Sequence, residues 1–264
     1  MMSSNPVLLT QESDQGVLLI TLNRPEERNC VHRPLAEALS QALRDFERNS
    51  HLGVAIMTGA GGNFCSGADL KAFAADTEQA NRLAPDGDGP MGPTRMHLGK
   101  PVIAAIEGCC VAGGLELALW CDLRVASETA YFGVYCRRFG VPLIDGGTVR
   151  LPRLIGQSHA MDMILTGRRV DVAEAWRMGL VNRQVGAGKA CEQAMYLAKS
   201  LLAFPQTCLR RDRLSVLEQW GMDEKQALQQ EFHHGMATLQ SGETVVGAKQ
   251  FRAGLGRHGQ IPDL

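Results

Sequence analysis

Two glycine-rich segments constrain this chain more than any other feature. The first is Gly61-Gly62-Asn63-Phe64-Cys65-Ser66-Gly67-Ala68-Asp69-Leu70, and the second is Glu107-Gly108-Cys109-Cys110-Val111-Ala112-Gly113-Gly114-Leu115-Glu116. Each follows a short apolar run of strand type, residues 54–58 and 102–106, and each leads into a helical pattern. Glycine at such a turn lets the backbone take positive φ and approach a ligand closely. The first N–H groups of the following helix have no partner within it, and the helix dipole adds partial positive charge at that end. Two such turns can aim one N–H each at a single oxygen, an oxyanion hole for a carbonyl that gains negative charge. An ordinary strand-to-helix turn capped by Asp69 accounts for the first segment equally well. A phosphate loop is the rival reading, but neither segment has the GxxxxGKS/T or GxGxxG spacing.

The rest of the chain reads as an α/β core followed by helices. Residues 7–10 and 16–22 are β-type runs around a turn at 13–16. Residues 33–49 are helical, with Leu35, Leu39, Leu43 and Phe46 on one face and charges opposite. Residues 114–122 form an apolar helix, followed by a strand at 123–126. Such alternation predicts an α/β fold. After about residue 188 the pattern turns helical, at 190–204, 209–220 and 223–239, with no further clear strand. The expected organisation is a core over residues 1–190 and a helical C-terminal segment over 191–264 that folds over the core or a neighbour. Residues 76–99 are irregular, and the run from Ala84 to Pro93 holds too many prolines and glycines for a continuous helix. They read either as a surface loop or as a mobile wall of a pocket.

Bulk properties exclude several classes. At 264 residues the chain fits one large domain. A net charge of −1 gives no reason to expect a nucleic-acid or membrane partner. The apolar runs are too short to span a bilayer, and no signal peptide is visible, so a cytoplasmic location is expected. The eight cysteines form no CxxC pair and no histidines stand at ligand spacing, so no metal site is expected and the thiols read as small apolar fillers in a reducing compartment.

Longer stretches narrow the reading. The segments NFCSGADLK (63–71) and KPVIAAIEGCCVAGGLELALWCDLRVAS (100–127) strongly resemble the crotonase superfamily, the enoyl-CoA hydratase/isomerase family. LNRPEERN (22–29), GGTVRLPRLIG (146–156), MILTGRRVDVAEAWRMGLVNRQV (163–185) and the helical tail extend the match over about residues 7–255. The resemblance implies a spiral of β-β-α turns with a C-terminal helical segment, and assembly as a homotrimer or a dimer of trimers. It implies that the N–H groups of Ala68 and Gly113 bind an acyl-CoA thioester oxygen. By the same resemblance Asp69, Leu70 and Lys71 follow the first donor along the acyl path, beside Ser66, Gly67 and Gly114. The stretch from Arg24 to Asn29, Arg28 included, runs along the CoA. Coenzyme A enters only as part of the substrate, and no cofactor is expected.

The acid–base residues are where the resemblance becomes incomplete. Glu116 sits among apolar neighbours, where a carboxylate is costly unless paired or functional. It reads either as a salt bridge to an arginine such as Arg124 or as the first of the two hydratase glutamates. The second glutamate is missing. The family's FGxPE stretch reads Phe132-Gly133-Val134-Tyr135-Cys136 here, so Cys136 stands in its place. A neutral thiol is a poor proton donor to carbon. Asp145, before Gly146-Gly147, resembles the catalytic aspartate of ring-oxepin/enoyl-CoA isomerases and aryl-CoA dehalogenases. It reads either as that residue or as the cap of the next helix. His97 is either a pocket residue or simply exposed.

The expected function is an enoyl-CoA hydratase-type lyase with Glu116 and Asp145 as the acid–base pair. An enoyl-CoA isomerase that works with one carboxylate is the alternative. Hydrolytic dehalogenation by Asp145 and a non-catalytic acyl-CoA-binding protein are the further readings.

Overall fold

A computed structural model describes residues 6–75 and 78–256. Strands β1 (Leu8–Glu12) and β2 (Val17–Leu22) precede helix α1 (Arg33–Arg48). Strand β3 (Val54–Gly59) and helix α2 (Leu70–Ala74) follow. Then come β4 (Val102–Ile106), β5 (Cys109–Val111) and α3 (Gly113–Trp120). Next are β6 (Leu123–Ser127), β7 (Tyr131–Gly133) and α4 (Gly147–Thr166). The chain continues through β8 (Val170–Asp171), α5 (Val172–Arg177) and β9 (Arg183–Val185). Helices α6 (Ala190–Leu202), α7 (Gln206–Glu218), α8 (Glu224–Gln240) and α9 (Glu243–Arg252) complete the described chain.

The strands form two sheets. A six-stranded sheet has the order β1-β2-β3-β4-β6-β9, parallel except for the β1–β2 pair. A three-stranded sheet has the order β5-β7-β8. The chain therefore crosses from the large sheet to the small one within two residues after β4, and again between β6 and β7, before entering a helix. This repetition is a β-β-α spiral. The short strands β5, β7, β8 and β9 escape the sequence reading because two or three residues show no period of their own.

Helix α1 follows its sequence pattern closely, with Leu35, Leu39, Leu43 and Phe46 all buried. On the other face of the large sheet, α6 lays Ala190, Ala194 and Ala198 against Val17, Val54, Ile56 and Ile103. Alanine at this spacing lets helix and sheet approach closely. No helix among the described residues is long and apolar enough to cross a membrane.

The irregular stretch divides into an exposed part and a packed part, residues 76 and 77 lying outside the described residues. Asn81, Met91, Pro93 and Thr94 are buried. Asn81 Nδ2 donates to the Pro90 carbonyl at 2.7 Å, which pins the loop to itself. Residues 89–94 form a packed wall, while residues 82, 83 and 85–87 are exposed at the surface.

Candidate active site

The two glycine-rich turns lie side by side. Cys65 and Cys110 form a parallel bridge, with Cys65 N–H donating to the Cys109 carbonyl at 2.9 Å and Val111 N–H to the Cys65 carbonyl at 3.1 Å. Gly67 has φ +105°, and a Cβ there would lie 2.9 Å from the Ala112 Cβ and 3.1 Å from the Gly113 nitrogen. The helix α3 start is thus pressed against the end of the first turn. Neither the Ala68 N–H nor the Gly113 N–H has an acceptor among the described residues. Gly114 is required sterically, since a Cβ would meet the Cys65 carbonyl oxygen at 2.3 Å. Gly114→Ala is therefore expected to lower stability by about 1–3 kcal/mol, read by denaturant unfolding. A neutral outcome would mean that the two turns have room to separate.

The first turn is braced by the N-terminal segment. Asn29 Nδ2 donates to the carbonyls of Ala60 and Asn63 at 2.9 and 2.7 Å, and Ser66 N–H donates to the Arg28 carbonyl at 3.0 Å. Arg28 takes a left-handed conformation, φ +49°, as the stretch turns back. Asp69 caps α2 as expected, accepting from the N–H groups of Lys71 and Ala72 at 3.1 Å. It also pairs with Arg24 at 2.9 Å. Leu70 and Lys71 are exposed on the first turn of α2.

Glu116, on the first turn of α3, is buried, with 3% of its surface exposed. Its Oε1 accepts the N–H groups of Asp145 and Gly147 at 2.9 and 2.8 Å. A salt bridge to Arg124 does not form. Arg124 instead donates to backbone carbonyls, including Leu180 and Cys121 at 2.7 Å. Burial pushes the Glu116 carboxyl up to about 7, partly opposed by the Gly147 N–H and reinforced by the negative charge of Asp145. A carboxyl poised there can both take and give a proton near neutrality.

Asp145 is not a helix cap. The N-cap of α4 is Gly146, which makes no side-chain cap bond. The Asp145 side chain points to the wall loop, where Oδ1 accepts the Met91 N–H at 3.0 Å and a short hydrogen bond from the Thr94 hydroxyl. Arg150 ties the two pieces together, with Nη1 on the Asp145 carbonyl at 2.9 Å and Nη2 on the Thr94 carbonyl at 2.7 Å. Burial raises the Asp145 carboxyl above its ordinary range, while the Thr94 and Met91 bonds pull the other way. Cys136 is buried beside them, and burial and the charge of Glu116 both hold its thiol up, so it stays neutral.

Met91, Thr94 and Arg150 are site residues that the sequence reading missed. Met91 and Thr94 stand in a stretch without period, and Arg150 lies inside a helix pattern, so neither spacing nor composition marks them. His97 is exposed on the rim of a cleft whose inner wall includes Asp145.

A β-β-α spiral with two abutting glycine turns and a buried glutamate at the second helix start defines a class, and comparison with known proteins places the chain in it. Residues 12–252 match the model of the enoyl-CoA hydratase/isomerase family. The chain is 34% identical over 244 residues to enoyl-CoA hydratase EchA19 of Mycobacterium tuberculosis, covering 89% of each. It is 36% identical over 185 residues to the mevalonyl-coenzyme A hydratase sidH of Aspergillus fumigatus, covering 70% of this chain and 68% of that one. The crystal structure of enoyl-CoA hydratase EchA1 from Mycobacterium marinum superposes with a TM-score of 0.88 at 34% identity, over 94% of this chain and 96% of that one. The chain belongs to the enoyl-CoA hydratase/isomerase family, the crotonase superfamily.

Proposed function

We propose that this protein is an enoyl-CoA hydratase, adding water across the double bond of a 2-enoyl-CoA. The observation that carries the reading is Glu116, a buried carboxyl raised to about 7 and held by two backbone N–H groups beside the glycine turns. The N–H groups of Ala68 and Gly113 hold the thioester oxygen as it gains charge. Gly67 and Gly114 keep the two turns close enough for that, and Ser66, Asp69, Leu70 and Lys71 line the approach. Arg28 contacts the CoA portion. Glu116 and Asp145 divide the proton work, one taking a proton from water as its oxygen bonds to Cβ, the other supplying a proton to Cα. The overall reaction balances as the addition of one water, and no cofactor beyond the substrate's own CoA enters it.

Cys136 favours a second reading. With a neutral thiol where hydratases carry their second glutamate, a single carboxylate could move a proton between carbons and shift the double bond. Two substitutions separate the readings. With Asp145 as a partner in hydration, crotonyl-CoA hydration is measurable in the parent, and Asp145→Asn lowers it by about 10²-fold or more. If Asp145→Asn removes double-bond migration on a 3-enoyl-CoA instead, the isomerase reading holds. If Cys136→Glu raises hydration and Asp145→Asn leaves it intact, Asp145 has no part in the chemistry.

We also place the enzyme in the cytoplasm as a homotrimer or a dimer of trimers. All eight cysteines are free, which fits a reducing compartment. Helices α8 and α9 expose Leu228, Phe232, Val245, Val246 and Phe251, apolar side chains of the kind that a subunit interface covers.

A further inference from the structure

Beyond Asp145 lies a cleft of about 780 Å³ that Glu116, Ala68 and Gly113 do not touch. Its wall begins at Thr94, Asp145 and Gly146 and follows α4 through Val149, Arg150, Arg153 and Leu154. Arginines 150 and 153 share one face of that helix, being three residues apart. From its first residue, Gly147, to Arg153 the helix carries the wall about 9 Å further on, at 1.5 Å per residue. Trp120, Ile144, Val216 and Trp220 make much of the remaining surface apolar.

The charges around this cleft do not cancel. Five arginines line it (95, 124, 150, 153 and 213) against two aspartates, Asp122 and Asp145. Asp122 is already paired with Arg213 at 2.8 Å. Arginines 124 and 150 donate mainly to carbonyls, which satisfy N–H groups but carry no opposing charge. Arg95 donates from Nη1 to the Ala84 carbonyl at 2.7 Å. Arg153 is exposed, lies over the Trp220 ring at 4.5 Å, and pairs with no carboxylate among the described residues. An apolar trough that ends in an arginine braced on an aromatic ring fits a ligand with an apolar middle and an anionic end. The planar guanidinium presents a fork of N–H groups matched to a carboxylate.

We propose that this cleft receives the far end of the acyl group, and that Arg153, with Arg95, selects acyl-CoA substrates whose chain ends in a carboxylate. The inference rests on the acyl-CoA reading of the site and names the class of acyl group it takes. An uncharged chain gains only the apolar wall, whereas a terminal carboxylate also gains a charge-assisted hydrogen bond. Such a bond at a partly covered site is worth about ten-fold in affinity.

The test uses the full-length protein and matched pairs of probes with six, eight and ten acyl carbons. Saturated acyl-CoAs and their ω-carboxyl counterparts are compared by calorimetric binding, and the matching 2-enoyl-CoAs by kcat/KM for hydration. The ω-carboxyl member is expected to be favoured about ten-fold in both measurements, most strongly at the chain length that reaches Arg153. Arg153→Gln, alone or with Arg95→Gln, brings the ratio near one, while Arg153→Lys retains part of it. A ratio near one in the parent protein overturns the proposal, as does a ratio that survives the double substitution. Binding decides the matter even without turnover. A ten-fold binding preference with no hydration of any probe upholds the cleft assignment and defeats the hydratase reading. Hydration without preference does the reverse.

Discussion

Glu116→Gln is expected to lower turnover by about 10²–10⁴-fold while leaving the fold intact. The glutamine carbonyl can still accept the N–H groups that Asp145 and Gly147 donate to Oε1, so the local scaffold keeps its bonds. What disappears is the ability to exchange a proton. The stability effect has a definite sign. The Glu116 carboxyl is raised to about 7 in the folded chain, against an ordinary 4.5. Between those values the folded protein holds a proton that the unfolded chain has released, so this group's contribution to stability falls as pH rises through the window. The accumulated cost above it is about 3 kcal/mol. Glutamine does not ionise and avoids that cost. The E116Q protein should therefore melt several degrees higher than the parent at pH 8, and the difference should vanish near pH 4. Unchanged turnover together with a lower melting temperature at pH 8 would make Glu116 a structural residue.

Removing one donor of the oxyanion hole is the second large effect. Ala68→Pro deletes the N–H that has no acceptor among the described residues, so no internal hydrogen bond is lost with it. Turnover is expected to fall about 10²–10³-fold. Ala68→Gly keeps the N–H and should stay within a few-fold of the parent. Because proline also restricts Gly67 before it, thermal unfolding and acyl-CoA binding are measured alongside. Full activity of the proline variant would remove Ala68 from the site, whatever its stability.

These two predictions draw on different kinds of legibility. The turn that carries Ala68 was visible in the sequence because glycines around a strand-to-helix turn leave a recognisable local pattern. Glu116 was visible as a carboxylate among apolar residues, but its partner was not. Arg124 was the obvious neighbour by chain distance, yet it is held by the carbonyls of Leu180, Ala118 and Cys121. The true partners are backbone N–H groups about thirty residues away, which no side-chain pattern can announce. Asp145 shows the same limit. A carboxylate before two glycines looks like a helix cap, and whether it served as one depended on whether a distant loop offered better donors. Thr94 and Met91 did.

Periodicity and turn chemistry along the chain thus determined much: helix α1 and its buried face, the main strands of the large sheet, the helical tail, and the two glycine turns with Glu116 after the second. Each of these is set by neighbours within a few residues, so it can be read locally. The tertiary structure alone decided the small sheet, the folding of the wall loop onto Asp145, the clasp by Arg150, and the arginine-lined cleft beyond it. These arise where segments far apart in sequence meet. There the outcome depends on which of several possible donors and acceptors is close enough once water is excluded, and the local sequence carries no record of that competition.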